Sequence, residues 1–255
     1  MSFVSALKKK LLLSDAKYNK KIANDNNNLK KFNEFLEFCK DKKRCFVIGN
    51  GPSLTKSDMN LLNNEITFVC NRFFHIYKDY QSTAYFCQDP TILKNEIENI
   101  KKAKSKFKLV NPLIKFKNMF FKKNYGEDFI FYHAIRKNCL NGENPDFAKS
   151  FEDGVYEGCT ITFSMIQIAV LLGFKEIYLL GIDFNYIIKD GKVDDSSYPK
   201  QLKGLKTGGL PNIEYSYKAF KKCAQYANEQ GITIINCSRN TKLDAFKIKN
   251  LEEVL

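Results

Sequence analysis

The chain reads as an α/β protein with a single Rossmann-like domain: a mostly parallel twisted sheet, helices on both faces and a lid-like loop. Three observations predict this. Short apolar runs of strand length recur at Cys45–Ile48, Ile66–Asn71, Ser82–Gln88, Phe107–Asn111, Glu176–Leu180 and Ile232–Asn236. Helix-compatible stretches separate several of them, which is the rhythm of βαβ units. The first four runs give way to polar residues beside a turn: Gly49-Asn50-Gly51, Asn71-Arg72, Gln88-Asp89-Pro90 and Asn111-Pro112. A doubly wound sheet gathers such strand ends along one edge, where open α/β sheets bind their ligands.

Composition sets the outer bounds. With 255 residues, 44% of them hydrophobic and 14% aromatic, the chain has ample material for a folded core. The formal charge of +13, carried mostly by lysine, attracts polyanions such as nucleotides, acidic glycans and anionic lipid. No nucleic-acid reader motif accompanies it, so nucleic acid is not expected as a partner. Eight cysteines show no CxxC pair and two of them, Cys45 and Cys70, lie inside apolar runs. With only His75 and His133 available, a zinc site is not expected. The N-terminus lacks a signal-peptide core, and the run Ile166–Leu172 is too short to span a bilayer. A reduced, cytoplasmic setting follows as the expectation.

Taken in order, residues 1–42 form a basic helical extension. Leu29–Cys39 puts Leu29, Phe32, Phe35, Leu36 and Cys39 near one face, while Asn24–Asn28 reads as a polar linker. The extension predicts either packing on the main domain or peripheral attachment to a membrane surface. Residues 43–255 form the Rossmann-like domain. Its first strand runs into the turn Gly49–Ser53, where two glycines permit positive φ and Ser53 or Ser57 is placed to cap the following helix. Ile92–Ile100 reads as helix and Phe129–His133 as an edge strand. Lys115, Lys117, Lys122 and Lys123 interleave with Phe116, Phe120 and Phe121, which predicts an aromatic face on the core with lysines outside. Further on, Thr160 or Thr162 starts a heavily apolar helix that Gly173 terminates, and the next strand closes on Gly181-Ile182-Asp183. Residues 185–209 are long, polar and aperiodic, as a functional lid would be. Pro211–Glu229 is helical and Ile232–Asn236 is expected to be the last strand.

The segments VIGNGPSL, VCN and LGFKEIYLLGIDF, in that order, resemble the sialyltransferases of glycosyltransferase family 42. They resemble equally the related MptE-like family, named for an archaeal 6-hydroxymethylpterin diphosphokinase and widespread in bacterial surface-glycan clusters. This second resemblance extends through GCTITFSMIQIAVLLGF to the C-terminal YSYKAFKKCAQYANEQGITIINCSRNTKLDAF.

The resemblance implies a metal-independent site for a CMP-sugar donor, with a glycan as acceptor. Gly49, Asn50, Gly51 and Ser53 would hold nucleotide, joined by Asn71, Asp89, Thr160 and Thr162. Tyr186 and Tyr198, with nearby lysines, would meet the donor phosphate. Asp183 also falls at a strand's carboxyl end. The sialyltransferases place a histidine base just beyond the lid, and here no histidine follows His133. A retained base would have to be a carboxylate, with Asp194, Asp195 and Glu214 the candidates. The alternatives are diphosphate transfer from ATP with Mg²⁺, to which Asp89 and Asp183 would contribute, and a basic binding protein without catalysis. An oligomer is compatible with either activity.

Overall fold

The computed structural model describes residues 16–111, 125, 127–136, 143–190, 192–194, 197–205 and 212–255. Residues 1–15, the Lys/Phe-rich stretch after Asn111, and Asp195 and Ser196 therefore lie outside the described residues.

Among the described residues, eight strands form one parallel sheet. Its first five are β1 (Arg44–Ile48), β2 (Thr67–Cys70), β3 (Ser82–Cys87), β4 (Ser105–Val110) and β5 (Phe129–Phe131). Two short strands, β6 (Ala134–Ile135) and β7 (Val155–Tyr156), pair with each other apart from it. The main sheet resumes with β8 (Glu176–Leu180). A hairpin of β9 (Ile188–Lys189) and β10 (Lys192–Val193) follows, and then β11 (Thr233–Asn236) and β12 (Lys247–Ile248). The strand order is β12-β11-β8-β1-β2-β3-β4-β5. Every described pairing in this sheet is parallel.

From β1 the chain builds outward to β5, then returns to β8 and builds the other way. The reversal falls between β1 and β8, whose register brings Ile48 opposite Leu180. Loops leaving two adjacent strands for opposite faces cannot fill the space between them, so a crevice opens at that point.

Strand alternation sorts the core onto the two faces of the sheet. Val47, Phe68, Phe86, Leu109, Ile177 and Leu179 pack with Phe35, Met165, Ile168 and Phe220. Phe46, Ile48, Val69, Tyr85, Tyr178 and Leu180 pack on the other side with Met59, Leu93 and Ile100. The central helix α5 (Ile161–Leu171) is buried on every face from Ile161 to Ala169, as a helix apolar all round requires. It ends in a Schellman arrangement, with Gly173 at φ +92° donating to Val170 O and Phe174 donating to Ala169 O.

The N-terminal helix α1 (Asn26–Cys39) packs on the sheet rather than standing apart. Phe32 stacks on Phe151 at 3.7 Å between centroids and Phe35 on Phe107 at 4.4 Å. The expected polar linker at Asn24–Asn28 is instead the start of this helix, capped by Asp25. Asn28 is buried because its carboxamide does the work of a missing strand: Nδ2 donates to Phe131 O at 2.7 Å and Oδ1 accepts from Phe131 N–H at 2.7 Å. A polar residue at an apparent linker thus closes the open edge of β5.

Other departures are local. The stretch expected to be aperiodic after Phe184 contains the β9–β10 hairpin and a 3₁₀ turn at Lys200–Leu202. Ile232–Asn236 is not the last strand, since the two-residue β12 adds to its edge. No helix among the described residues is long and apolar enough to cross a membrane.

Candidate functional site

A cleft of about 840 Å³ opens at the carboxyl ends of β1, β2, β3 and β8, over the reversal of strand order. Its first wall is the turn Gly49–Ser53. The two glycines are there for contact rather than for positive φ, since neither has a left-handed backbone. A Cβ on Gly49 would come within 2.5 Å of Gly181 O, and one on Gly51 within 2.6 Å of both Gly181 O and Asp183. The turn lies directly on the Gly181–Asp183 segment, with Gly49 N–H donating to Leu180 O and Gly51 N–H to Gly181 O, both at 2.8 Å.

Ser53 completes the join, its N–H donating to Asp183 Oδ2 at 2.9 Å and its hydroxyl to Oδ1. Burial pushes the Asp183 carboxyl up, and the two bonds from Ser53 only partly offset this. The turn after β11 supports the same segment from behind: Ser238 Oγ accepts from Ile182 N–H at 2.8 Å, and Thr241 Oγ1 donates to Ile182 O at 2.9 Å.

Neither Ser53 nor Ser57 caps the next helix, α2 (Lys56–Leu61). Thr55 does so, in a capping box with Asp58. Arg239 then grips Asp58 with two bonds of 2.6 Å. Burial works against the Asp58 carboxylate, but bonds from Arg239 and Thr55 prevail and hold its pKa below the usual value.

The floor of the cleft carries two carboxamides. Asn50 Nδ2 donates to Cys70 O at 3.1 Å, while Asn50 Oδ1 and Asn71 Oδ1 are buried without a hydrogen-bond partner. Asn71, two residues before the short helix α3 (Phe73–Ile76), has φ +52°, which asparagine tolerates, and its carbonyl is held by Tyr85 Oη at 2.7 Å. Two orphaned acceptors beside an open cleft call for donors from a ligand.

The opposite wall is the start of α5. Thr160 is its N-cap in position, yet its side chain makes no capping bond. Thr160, Ile161 and Thr162 all line the cleft, so first-turn N–H groups face it without an intrachain cap. Cys159, just before the cap, is disulfide-bonded, whereas Cys39, Cys45, Cys70, Cys87, Cys223 and Cys237 are free and buried. Asp89 also lines the cleft and caps α4 (Pro90–Lys102), accepting from Thr91 N–H at 2.7 Å and Ile92 N–H at 3.3 Å through Oδ1.

Among the described residues, the positive charge that faces the cleft comes from arginine rather than lysine. The chain has only four arginines among 41 basic residues, and Arg72, Arg136 and Arg239 all line the cleft, whereas no lysine does among the described residues. The lysines expected near the donor phosphate are not among these lining residues, and Lys206 lies outside the described residues. Each arginine is set by a carboxylate: Arg72 by Glu96 at 3.4 Å, Arg136 by Glu157 at 2.6 Å and Arg239 by Asp58. A planar, always-charged guanidinium holds its geometry in a partly desolvated site better than a flexible ammonium.

Tyr186 and Tyr198 line the cleft from the lid side, together with Ile187, Ser197 and Leu202. The Ser197 hydroxyl accepts from Ile187 N–H at 2.9 Å and ties the two lid arms. Tyr186 is partly exposed, yet the desolvation its phenol does undergo, with Tyr198 and Asp183 adding to it, raises its pKa above the ordinary value, so it stays a hydrogen-bond donor at neutral pH.

The sequence-derived bases fare differently. Glu214 is exposed, pairs with Lys218 at 2.7 Å and has its pKa lowered by that bond, so it neither faces the cleft nor has the raised proton affinity a base would need. Asp194 pairs with Lys189 across the hairpin at 2.9 Å and is not among the lining residues. Asp195 lies outside the described residues. Sequence reasoning passed over Arg72, Arg136, Glu157 and Arg239; the scarcity of arginine in so lysine-rich a chain was the available signal.

Fold and cleft together define a doubly wound α/β protein with a polar, arginine-lined crevice at its topological switch point. The chain belongs to the 6-hydroxymethylpterin diphosphokinase MptE-like family, whose model matches residues 19–189. Among solved structures it is similar to a variant of the sialyltransferase Cst-II in complex with CMP, at 21% identity and a TM-score of 0.45, covering 80% of this chain and 85% of that one. It is also similar to the monofunctional α-2,3-sialyltransferase Cst-I from Campylobacter jejuni, at 19% identity and a TM-score of 0.49, covering 82% and 81%. A comparison with curated proteins finds no match.

Proposed function

We propose that this chain is a nucleotide-dependent transferase, and within that class a glycosyltransferase that uses a CMP-activated sugar for a bacterial surface glycan. The observation that carries the reading is the meeting, in one cleft, of an uncapped helix N-terminus with the orphaned acceptors of Asn50 and Asn71. The first suits a phosphate, and the second suits the exocyclic amine or ribose hydroxyls of a nucleoside.

In this reading the phosphate lies against the N–H groups of Ile161 and Thr162, with Tyr186 and Tyr198 donating to it from the lid. Charge develops on the departing phosphate as the sugar transfers, and fixed donors stabilise it without reorganising.

The second reading is transfer of diphosphate from ATP, favoured by the family's name and by Asp89 at the cleft. It calls for Mg²⁺ shared between one or two carboxylates and the phosphates. Asp183 fits that task poorly because both its oxygens accept from Ser53, whereas the capping bonds of Asp89 use Oδ1 alone.

Thermal denaturation with CMP, CDP, UDP or ATP, each with and without Mg²⁺, separates the readings, because a ligand that prefers the native state raises Tm. Stabilisation by CMP without metal is the expected outcome. Stabilisation by ATP–Mg²⁺ alone would replace it with the diphosphokinase, and no response to any nucleotide would leave a binding protein without catalysis.

A further inference from the structure

We propose that Glu157 is the proton acceptor of the reaction, taking the place of the histidine that this chain lacks. The proposal rests on the transferase reading of the cleft, and it serves either donor, because an attacking hydroxyl must lose its proton in both reactions.

Three carboxylates line the cleft among the described residues: Asp89, Glu157 and Asp183. Asp183 has both oxygens bonded to Ser53, and Asp89 caps α4. Glu157 is placed differently. It sits between β7 and α5, where Gly158 at φ +57° and Cys159 at φ +55° turn the chain sharply toward the helix. A side chain on Gly158 would collide with Phe163 and Ala219, and Thr160 N–H donates to Glu157 O at 3.2 Å, so the turn has little freedom.

Arg136 stands beside Glu157 and is itself held, its Nη2 donating to Gln88 O at 3.0 Å. Arg136 Nε pairs with Glu157 Oε2 at 2.6 Å, and among the described residues nothing engages the other carboxylate oxygen, Oε1. Burial pushes the Glu157 carboxyl up; Arg136 opposes this and the nearby Asp89 reinforces it, with a net rise. A carboxylate raised toward the working pH while remaining in reach of a substrate meets the requirement for a general base.

The step balances without a further reactant. The acceptor O–H bond breaks and its proton passes to a Glu157 carboxylate oxygen. The oxygen's electron pair forms the bond to the anomeric carbon, and the bond from that carbon to the phosphate oxygen breaks, its pair leaving on the phosphate. Glu157 then loses the proton to solvent. For diphosphate transfer the same pair attacks the β-phosphorus of ATP, and the bond from that phosphorus to the oxygen bridging it to the α-phosphate breaks, its pair leaving on AMP.

The test uses CMP to measure binding and CMP release from CMP-sialic acid to measure turnover, water serving as acceptor. Glu157→Gln is expected to be stabilised by CMP as the wild type is, to release CMP at least about 100-fold more slowly, and to lose the acid limb of the pH–rate profile. Glu157→Asp, which keeps the carboxylate, retains that limb, and formate restores part of the rate to Glu157→Ala. Glu157→Gln within threefold of wild type, or with its acid limb intact, would overturn the base and leave the transferase standing. Loss of CMP stabilisation in both Gln and Asp variants would also overturn it, by making Glu157 a binding residue. A wild type that neither responds to CMP nor releases it would overturn the transferase reading together with the base.

Discussion

Ser53 holds Asp183 by both carboxylate oxygens, one through its backbone N–H and one through its hydroxyl. The two residues stand 130 positions apart and follow the adjacent strands β1 and β8, so this contact fastens the loops on either side of the switch point. Replacing Ser53 with Ala removes one charge-assisted bond and is expected to cost about 1.5–3 kcal/mol in urea denaturation at pH 7. The folded-state pKa of Asp183 is raised, so its ionisation opposes folding as pH rises from its unfolded value through its folded one. Ser53→Ala raises it further, and the deficit should therefore be small in acid and grow toward neutral pH.

The approach of the first turn to Gly181 leaves no space for a methyl group on Gly49 or Gly51. Side chains of Ile182 and Asp183 crowd these positions too, but Gly181 O obstructs both and, as a backbone atom, cannot rotate away. Gly49→Ala and Gly51→Ala are each expected to lose about 1–3 kcal/mol of stability and any CMP-dependent rise in Tm. Full stability in both would show that the two loops do not lie in contact.

Asp58 links the cap of α2 to Arg239. Its folded pKa is lowered, so its stabilising contribution is fully present above its unfolded pKa and is lost as pH falls through the folded one. Asp58→Asn should lower stability at pH 7 by about 2 kcal/mol and flatten the acid limb of a stability–pH curve. A variant whose curve parallels that of the wild type would assign the acid limb to other groups.

Asn50 and Asn71 each present a buried oxygen without a partner. Because Asn71 has positive φ, Asn71→Gly removes the carboxamide without straining the backbone. It should weaken CMP binding about tenfold, the equivalent of one good hydrogen bond, while Tm without ligand changes little. Calorimetric titration measures this directly, and Asn50→Ala should behave alike. Unchanged affinity in both would remove the β1 and β2 strand ends from the nucleotide site.

Glu214 supplies the control. Exposed on α6 (Ile213–Glu229) and paired with Lys218 one turn on, it should tolerate Glu214→Gln with unchanged turnover and pH profile. A lost acid limb in this variant would return it to the site.

Much of the fold was legible because buried strands advertise themselves. The runs Cys45–Ile48, Ile66–Asn71, Ser82–Gln88, Phe107–Asn111, Glu176–Leu180 and Ile232–Asn236 are too short for helices and too apolar for loops, and each coincides with a strand of the sheet to within two residues at either end. Gly173 was readable as a helix terminator for a local reason as well. The two-residue β12 and the β9–β10 hairpin were not, since so few residues carry no periodicity. Asn28 misled for the opposite reason: its type says linker, while its partner Phe131 is 103 residues away.

The candidate site divides along the same line. The amino-acid sequence by itself determined the doubly wound architecture, the strand ends that line the cleft and the lack of a histidine after His133, because these depend on local composition and chain order. Only the tertiary structure decided that Ser53 binds Asp183, that Thr55 rather than a serine caps α2, and that Arg72, Arg136 and Arg239 are the cations facing the cleft among the described residues. It also set Glu157 against Arg136 inside the cleft and left Glu214 in solvent. Burial and partnership are properties of the space between distant segments, and a carboxylate's proton affinity follows from them rather than from its neighbours in the chain.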